Sequence, residues 1–360
     1  MSAPGPSTVC VLGAGGFIGS HLVEGLLREG RRVVGVDQES PKVEHLLGKP
    51  GFDFRLFDLR DEARLRRAVE DADAVVNLAS LCNPALYSPR GLEVVESNFL
   101  RALPVVRACR ERGRHLVQFS TCEVYGRTLA SYAPEGSAFR ADPANWVLSE
   151  ERTPLVLGPV ERTRWSYAAA KQLLERVLVA EGREHGLRWT VVRPFNFLGT
   201  RMDYLPGIEG EGTPRVLACF LAALLRGAPL TLVDGGRARR CFTAVEDAVD
   251  ATIRILDRPE AAGGRVFNVG NPGNEVTIAG LADRMIRAWE AATGERWAHG
   301  TRSVPAEEFY GEGYEDSDRR VPDVERARTL PGWEPLRPLD EVLRFVVGET
   351  VRVHGARLPG

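Results

Sequence analysis

Over the first two hundred residues, short β-rich apolar runs alternate with longer segments whose apolar positions recur at helical spacing. The runs Thr8–Leu12, Arg32–Val36, Phe52–Phe57, Ala74–Leu78, His115–Ser120 and Arg188–Pro194 predict strands. Between them, Phe17–Arg28, Glu62–Glu70, Gly91–Arg112 and Trp165–Glu184 are amphipathic and predict helices. Apolar strands alternating with helices of this length predict a parallel sheet covered on both faces, the doubly wound α/β class. Beyond Phe195 the rhythm breaks, and the Gly- and Pro-rich stretches Leu205–Pro214, Gly270–Gly273 and Glu312–Pro322 separate shorter elements. The expected organisation is a Rossmann-type domain over residues 1–195, rejoined by segments within about 236–270. A smaller C-terminal lobe is expected over 196–235 and 271–345.

Composition narrows the function classes. The 360 residues are 44% hydrophobic, enough for a large core, and carry a net charge of −2, without the basic footprint that nucleic-acid binding needs. No run of about eighteen apolar residues predicts a membrane span, and Met1–Ser7 has neither the basic nor the apolar region of a signal peptide. A soluble cytoplasmic protein is the expectation. Six cysteines lie at 10, 82, 109, 122, 219 and 241 with no Cys-x-x-Cys pair, so neither a metal nor a disulfide framework is predicted. Of the 47 cationic residues only Lys42, Lys49 and Lys171 are lysines, which makes a lysine at a motif position more noticeable.

The first predicted strand runs into Gly13-Ala14-Gly15-Gly16-Phe17-Ile18-Gly19 and then a helix. Glycines at 13, 16 and 19 suit a tight turn, close approach of a pyrophosphate and tight helix–strand packing, with the anion on the helix N-terminus at Phe17 and Ile18. The second strand leads to Asp37, eighteen residues after Gly19. A carboxylate there accepts both ribose hydroxyls and repels a 2′-phosphate, so NAD is expected rather than NADP. Asp58 and Leu59, after the third strand, are candidates for the adenine, and Leu78 and Ala79, after the fourth, line the same edge.

Tyr167-Ala168-Ala169-Ala170-Lys171 sets a phenol and an ammonium one helical turn apart. A tyrosine with a pKa near ~10 needs such a cation to act as a base at neutral pH. The strand His115–Ser120 delivers Thr121-Cys122-Glu123 to the carboxyl edge of the sheet, where doubly wound folds place ligands. In the order of these parts the chain resembles the extended short-chain dehydrogenase/reductase family over nearly its full length. The resemblance implies a Thr121–Tyr167–Lys171 triad, hydride transfer from a sugar carbinol to NAD, and a homodimer formed through the Gly91–Arg112 and Trp165–Glu184 helices.

Phe119-Ser120-Thr121-Cys122-Glu123-Val124-Tyr125-Gly126, Arg164-Trp165-Ser166-Tyr167 and Arg193-Pro194-Phe195-Asn196 resemble the nucleotide-uronate decarboxylases of that family. Arg201 to Ile208, Pro214 to Phe220, Phe309 to Tyr314 and Asp316 to Arg320 are more similar to its UDP-apiose/UDP-xylose synthase branch, as are Cys82 and Cys122. The C4-oxidising UDP-glucuronate decarboxylases resemble it next most closely. This implies oxidation at C4 with Tyr167 as base, loss of carbon dioxide, retro-aldol opening and reclosure of the ring, and re-reduction to UDP-apiose or UDP-xylose. Arg164 and Arg320 are candidates to hold the substrate carboxylate. Glu123 is a candidate relay, Cys82 and Cys122 proton shuttles, and Asn196, Arg240 and Tyr310 contacts for the nucleotide sugar. The family usually has glutamine or lysine where this chain has Arg239, so Arg237 to Arg240 is unusually basic. Other readings stay open: release of a 4-keto pentose with NADH, the same chemistry on another nucleotide uronate, or a non-catalytic NAD-binding regulator.

Overall fold

A computed structural model describes residues 5–87, 89–310 and 315–355. Its centre is a parallel sheet of β1 (Thr8–Leu12), β2 (Arg32–Asp37), β3 (Phe52–Leu56), β4 (Ala74–Asn77), β5 (His115–Phe119), β6 (Trp189–Pro194) and β7 (Arg265–Val269). The strands lie in the order β7-β6-β5-β4-β1-β2-β3. Strand alternation sends successive side chains to opposite faces. Val9 and Val11 of β1 join one apolar cluster and Cys10 and Leu12 another, so both faces are dry. The order reverses between β1 and β4, where doubly wound sheets open a crevice at their carboxyl edge.

β7 is not among the predicted strands. Gly91–Arg112 is two helices rather than one: Gly91–Asn98 and Leu103–Glu111 are joined by a tighter turn at Leu100–Ala102. Pro104 lies in the first turn of the second helix, where it needs no N–H but cannot continue a preceding helical ladder.

A smaller four-stranded sheet pairs Glu275–Thr277, Arg239–Cys241, Arg319–Pro322 and Val147–Leu148 in that order. Beside it a third apolar cluster joins the helices Val216–Leu225, Ile278–Thr293 and Leu339–His354. Val216–Leu225 is apolar almost all round, as a helix enclosed by others must be. Among the described residues no helix is long and apolar enough to cross a membrane.

One buried group makes the fold acid-sensitive. His115, at the start of β5, sits 2.9 Å from the Thr190 hydroxyl. Burial, aided by Arg188, pushes its pKa down to about 4. Between that value and the unfolded value near ~6.5, the unfolded chain binds a proton the folded chain does not. His115 therefore lowers stability as pH falls from about 6.5 to 4, by about 3 kcal/mol. Urea unfolding of His115→Gln across this window is expected to show a correspondingly flatter pH dependence than the wild type.

Candidate active site

At the end of β1 the backbone turns at Gly13, with φ +85°, and a Cβ there would lie 2.8 Å from the Ala79 nitrogen. A Cβ on Gly19 would lie 2.0 Å from the Gly13 oxygen, so the helix Phe17–Arg28 packs against the turn at a distance only glycine allows. Gly16 is different: its Cβ would approach only the Gly13 oxygen, at 3.3 Å. It caps the helix with no side-chain acceptor, leaving the first-turn N–H groups at Phe17 and Ile18 suited to an anion. Asp37, at the end of β2, accepts from the Gly15 N–H at 2.8 Å and the Gln38 N–H at 2.7 Å, and burial raises its pKa.

Leu78 donates to the Leu12 oxygen at 2.8 Å, which brings the β4 loop beside the glycine turn. Asp58 is held by Arg60, which lowers its pKa, and Leu59 packs against the apolar cluster behind β3. Arg31, at the amino end of β2, is bound to Asp257 at 2.5 Å, and among the described residues no cation pairs with Asp37. This edge therefore fits a dinucleotide with a free adenosine-ribose diol, NAD rather than NADP.

Tyr167 and Lys171 lie on the buried face of the helix Ser166–His185. The Tyr167 hydroxyl has the Ser80 and Thr121 side chains as hydrogen-bonding neighbours, while burial pushes its pKa well above the usual range. Lys171 Nζ donates to the Phe119 oxygen at 3.3 Å, and burial pulls its pKa down to about 8. Thr121 also accepts the Glu123 N–H at 3.1 Å, capping the turn Cys122–Tyr125. Tyr87 stacks on Tyr167 with ring centroids 4.7 Å apart, and the Arg164 guanidinium lies 5.2 Å from the Tyr87 centroid.

Arg164 is not on the Tyr167 helix itself but in the tight turn Thr163–Trp165 before it. From there it grips Glu123 with two bonds, of 2.7 and 3.1 Å. Arg320 is 3.9 Å from Glu123 and 2.5 Å from Asp316, and Arg240 is 2.8 Å from Asp316. Arg164 also comes within 3.9 Å of Asp316. Burial would raise both carboxylates, but the arginines outweigh it and hold both below their ordinary pKa values. Three guanidiniums thus surround two carboxylates.

Cys122 is buried beside this cluster, and burial raises its thiol pKa. Cys82 is exposed on the β4 loop, in electrostatic range of Tyr167 and Lys171. Asn196 takes φ +44° and donates to the Cys241 oxygen at 3.2 Å. Tyr310 closes the helix Ala306–Tyr310, and burial, with Asp316 nearby, pushes its pKa up to about 12. Residues 311–314 of the Phe309–Tyr314 string lie outside the described residues. The basic run separates by strand alternation: Arg240 turns to Asp316, while Arg239 turns to Glu275, which it shares with Arg319. The extra charge at 239 is thus directed away from the cluster, onto Glu275.

These groups open onto a cavity of about 1200 Å³, lined by Glu123, Arg164, Arg240, Asp316 and Arg320. Arg215, Arg226, Arg237 and Arg302, which the sequence reading did not single out, line it too. Among the described residues no carboxylate lies within ion-pair distance of Arg226, Arg237 or Arg302, a surplus suited to a diphosphate. Ser80, Tyr87 and Asp316 were also not singled out as site residues. Asp316 stood four residues before Arg320, but nothing in a non-helical loop marks that spacing as a contact.

The fold and this site define a dinucleotide-dependent enzyme for anionic substrates. Residues 9–270 match the NAD dependent epimerase/dehydratase family, and the chain belongs to it. Among curated proteins it is similar to UDP-D-apiose/UDP-D-xylose synthase 1 of Arabidopsis thaliana, 47% identical over 348 residues, covering 94% of this chain and 90% of that protein. The UDP-D-apiose/UDP-D-xylose synthase of Oryza sativa subsp. japonica is 45% identical, with 94% and 87% covered. Among solved structures, the PbgP3 protein of Burkholderia pseudomallei superposes with a TM-score of 0.81 at 31% identity, covering 97% of each chain.

Proposed function

We propose that this enzyme converts UDP-glucuronate, or a closely related nucleotide uronate, to carbon dioxide and the pentose nucleotides UDP-apiose and UDP-xylose. The observation that carries this reading is the gathering of the Arg164, Arg240 and Arg320 guanidiniums around Glu123 and Asp316, beside Tyr167 and Lys171. A C6 carboxylate can take the place of Glu123 on these arginines, an exchange for which a neutral hexose has no charge.

Gly13 to Gly19, Asp37, Leu78 and Ala79 would hold NAD, with Asp58 and Leu59 toward the adenine. When bound, NAD supplies a two-electron acceptor for C4 and later the donor that reduces the pentose. Tyr167 takes the proton of the C4 hydroxyl, and Lys171 and Thr121 stabilise the phenolate. Arg164 and Arg320 orient the carboxylate, which is β to the new ketone and is lost as carbon dioxide, leaving an enolate. Glu123, released from Arg164 as the substrate carboxylate takes its place, takes up a proton from water and passes it to the enolate carbon. Cys82 and Cys122 move protons as the C2–C3 bond opens and recloses, which separates apiose from xylose formation. Asn196, Arg240 and Tyr310 contact the sugar and diphosphate.

The reading is tested by incubating the holoenzyme with UDP-glucuronate and following carbon dioxide, absorbance at 340 nm (the reduced nicotinamide band) and nucleotide sugars by NMR. One carbon dioxide per pentose nucleotide, with no reduced cofactor in solution, is the expected result. A 4-keto pentose with stoichiometric free NADH would instead establish the simpler decarboxylase. NAD binding without turnover of any uronate would leave the regulatory reading.

The protein is further proposed to act as a cytoplasmic homodimer. Leu92 is 91% exposed on Gly91–Asn98 and Leu173 is 47% exposed on the adjoining Ser166–His185, two large apolar side chains left uncovered among the described residues. Leu92→Arg together with Leu173→Arg is expected to halve the mass measured by light scattering. An unchanged mass would place any dimer contact elsewhere.

A further inference from the structure

The reading above requires that the cofactor reduced in the first step be the same molecule that is oxidised in the last. Something must therefore keep it in place across the cycle. The glycine turn offers backbone N–H groups but no cation of its own between Gly13 and Gly19. Two cations approach its open side. The Arg215 guanidinium lies 5.8 Å from the Phe17 ring centroid, but Asp203 neutralises it through bonds of 2.9 and 2.7 Å.

The other is Lys42, from the turn Pro41–Leu46 that follows β2. Its Nζ donates to the Met202 oxygen at 3.0 Å, and among the described residues no carboxylate lies within ion-pair distance of it. It is in electrostatic range of Asp203 and Arg215, and of Cys82 on the loop after β4. β4 and β2 flank β1 on either side. The Lys42 turn follows β2, the neighbour of β1, and Arg215, in electrostatic range of Lys42, lies over Phe17 in the first turn after the glycines. Met202 lines both the substrate cavity and a second cavity of about 1240 Å³ against the helix Phe17–Arg28, which Lys42 also lines. Lys42 ties Met202 to the turn that follows β2.

We propose that Lys42 is the positioning residue that retains NAD through the catalytic cycle, by fastening Met202 over the crevice and offering its remaining N–H groups and charge to the diphosphate. Its burial, which lowers its pKa, favours giving that charge an anionic partner. The proposal rests on the functional reading only for its purpose; cofactor retention is measurable with no sugar nucleotide present.

The test compares wild type, Lys42→Met and Lys42→Arg as NAD-loaded proteins chased with excess ADP-ribose. Loss of one charge-assisted bond is expected to speed NAD release by about 10- to 100-fold in Lys42→Met. Lys42→Arg, which keeps a cation and a donor, stays within a few-fold of wild type. Thermal stability of NAD-free Lys42→Met is expected to fall only by the loss of the Met202 bond, with a further loss in the NAD-dependent increase. Wild-type release rates in Lys42→Met, or equal destabilisation with and without NAD, would overturn the proposal. Faster NAD release in a protein whose wild type does not turn over UDP-glucuronate would support retention by Lys42 and sink the substrate assignment alone.

Discussion

Tyr167→Phe is expected to lower kcat by about 10²- to 10⁴-fold, the range for losing a positioned general base, while NAD stays bound. The hydroxyl has the Ser80 and Thr121 side chains as hydrogen-bonding neighbours, and the ring keeps its stack on Tyr87, so removing one oxygen leaves the packing intact. The partner's titration sets the pH dependence. Lys171, with its pKa near about 8, is cationic below that pH and supports the phenolate there. Above it the charge is lost, so oxidation in the wild type is expected to fall off on the alkaline side. Lys171→Met is expected to be slow at every pH and to lack this limb. Single-turnover absorbance at 340 nm reads both. A Tyr167→Phe variant within a few-fold of wild type would remove Tyr167 from the reaction.

The second large effect concerns stability. Asp316→Asn takes from Arg164, Arg240 and Arg320 one of the two carboxylates that they share. Removing one partner of a buried ionic group costs about 3–5 kcal/mol, and Asp316, with 27% of its side chain exposed, is expected near the lower figure. Its depressed pKa means that the native carboxylate contributes stability above the ordinary aspartate range, and that this is lost as pH falls through and below that range. Urea unfolding of Asp316→Asn should therefore show a loss of about 3 kcal/mol at pH 7 that shrinks toward pH 3. A loss that does not depend on pH would mean that packing, rather than charge, holds this loop. Because the same substitution strengthens the field at the carboxylate seat, KM for the uronate is expected to change less than stability does.

The parts legible in the sequence are those whose function is encoded over a few neighbouring residues. The Gly13–Gly19 turn, Asp37 at a strand end and the Tyr167–Lys171 helical spacing are local geometry, and periodicity places them on elements. The first six strands of the sheet were legible because each is a dry, continuous apolar run. β7 was harder to see, since it follows the broken rhythm of the second lobe and is recognised only by pairing with β6. Arg164 and Glu123 could be singled out through family resemblance, but that they would grip each other across 41 residues is a tertiary fact. The same holds for Asp316, whose importance comes from three arginines arriving from three elements. It holds equally for Tyr87, an ordinary core aromatic by pattern, and for Lys42, which no spacing connects to Met202. The split of the helix after Asn98 had a visible cause in Pro104, yet the apolar stripe ran through it and masked the break.

The central claim is that the cofactor accepts electrons at C4 and returns them to the same sugar within one site. The most direct measurement uses UDP-glucuronate carrying deuterium at C4, converted by the NAD-loaded enzyme in water and analysed by NMR and mass spectrometry. The account predicts that each pentose nucleotide retains one deuterium delivered back from the cofactor, with one carbon dioxide released and no isotope in free NADH. Pentose without deuterium, deuterium lost to free cofactor, or deuterium still at C4 of an undecarboxylated uronate would contradict it.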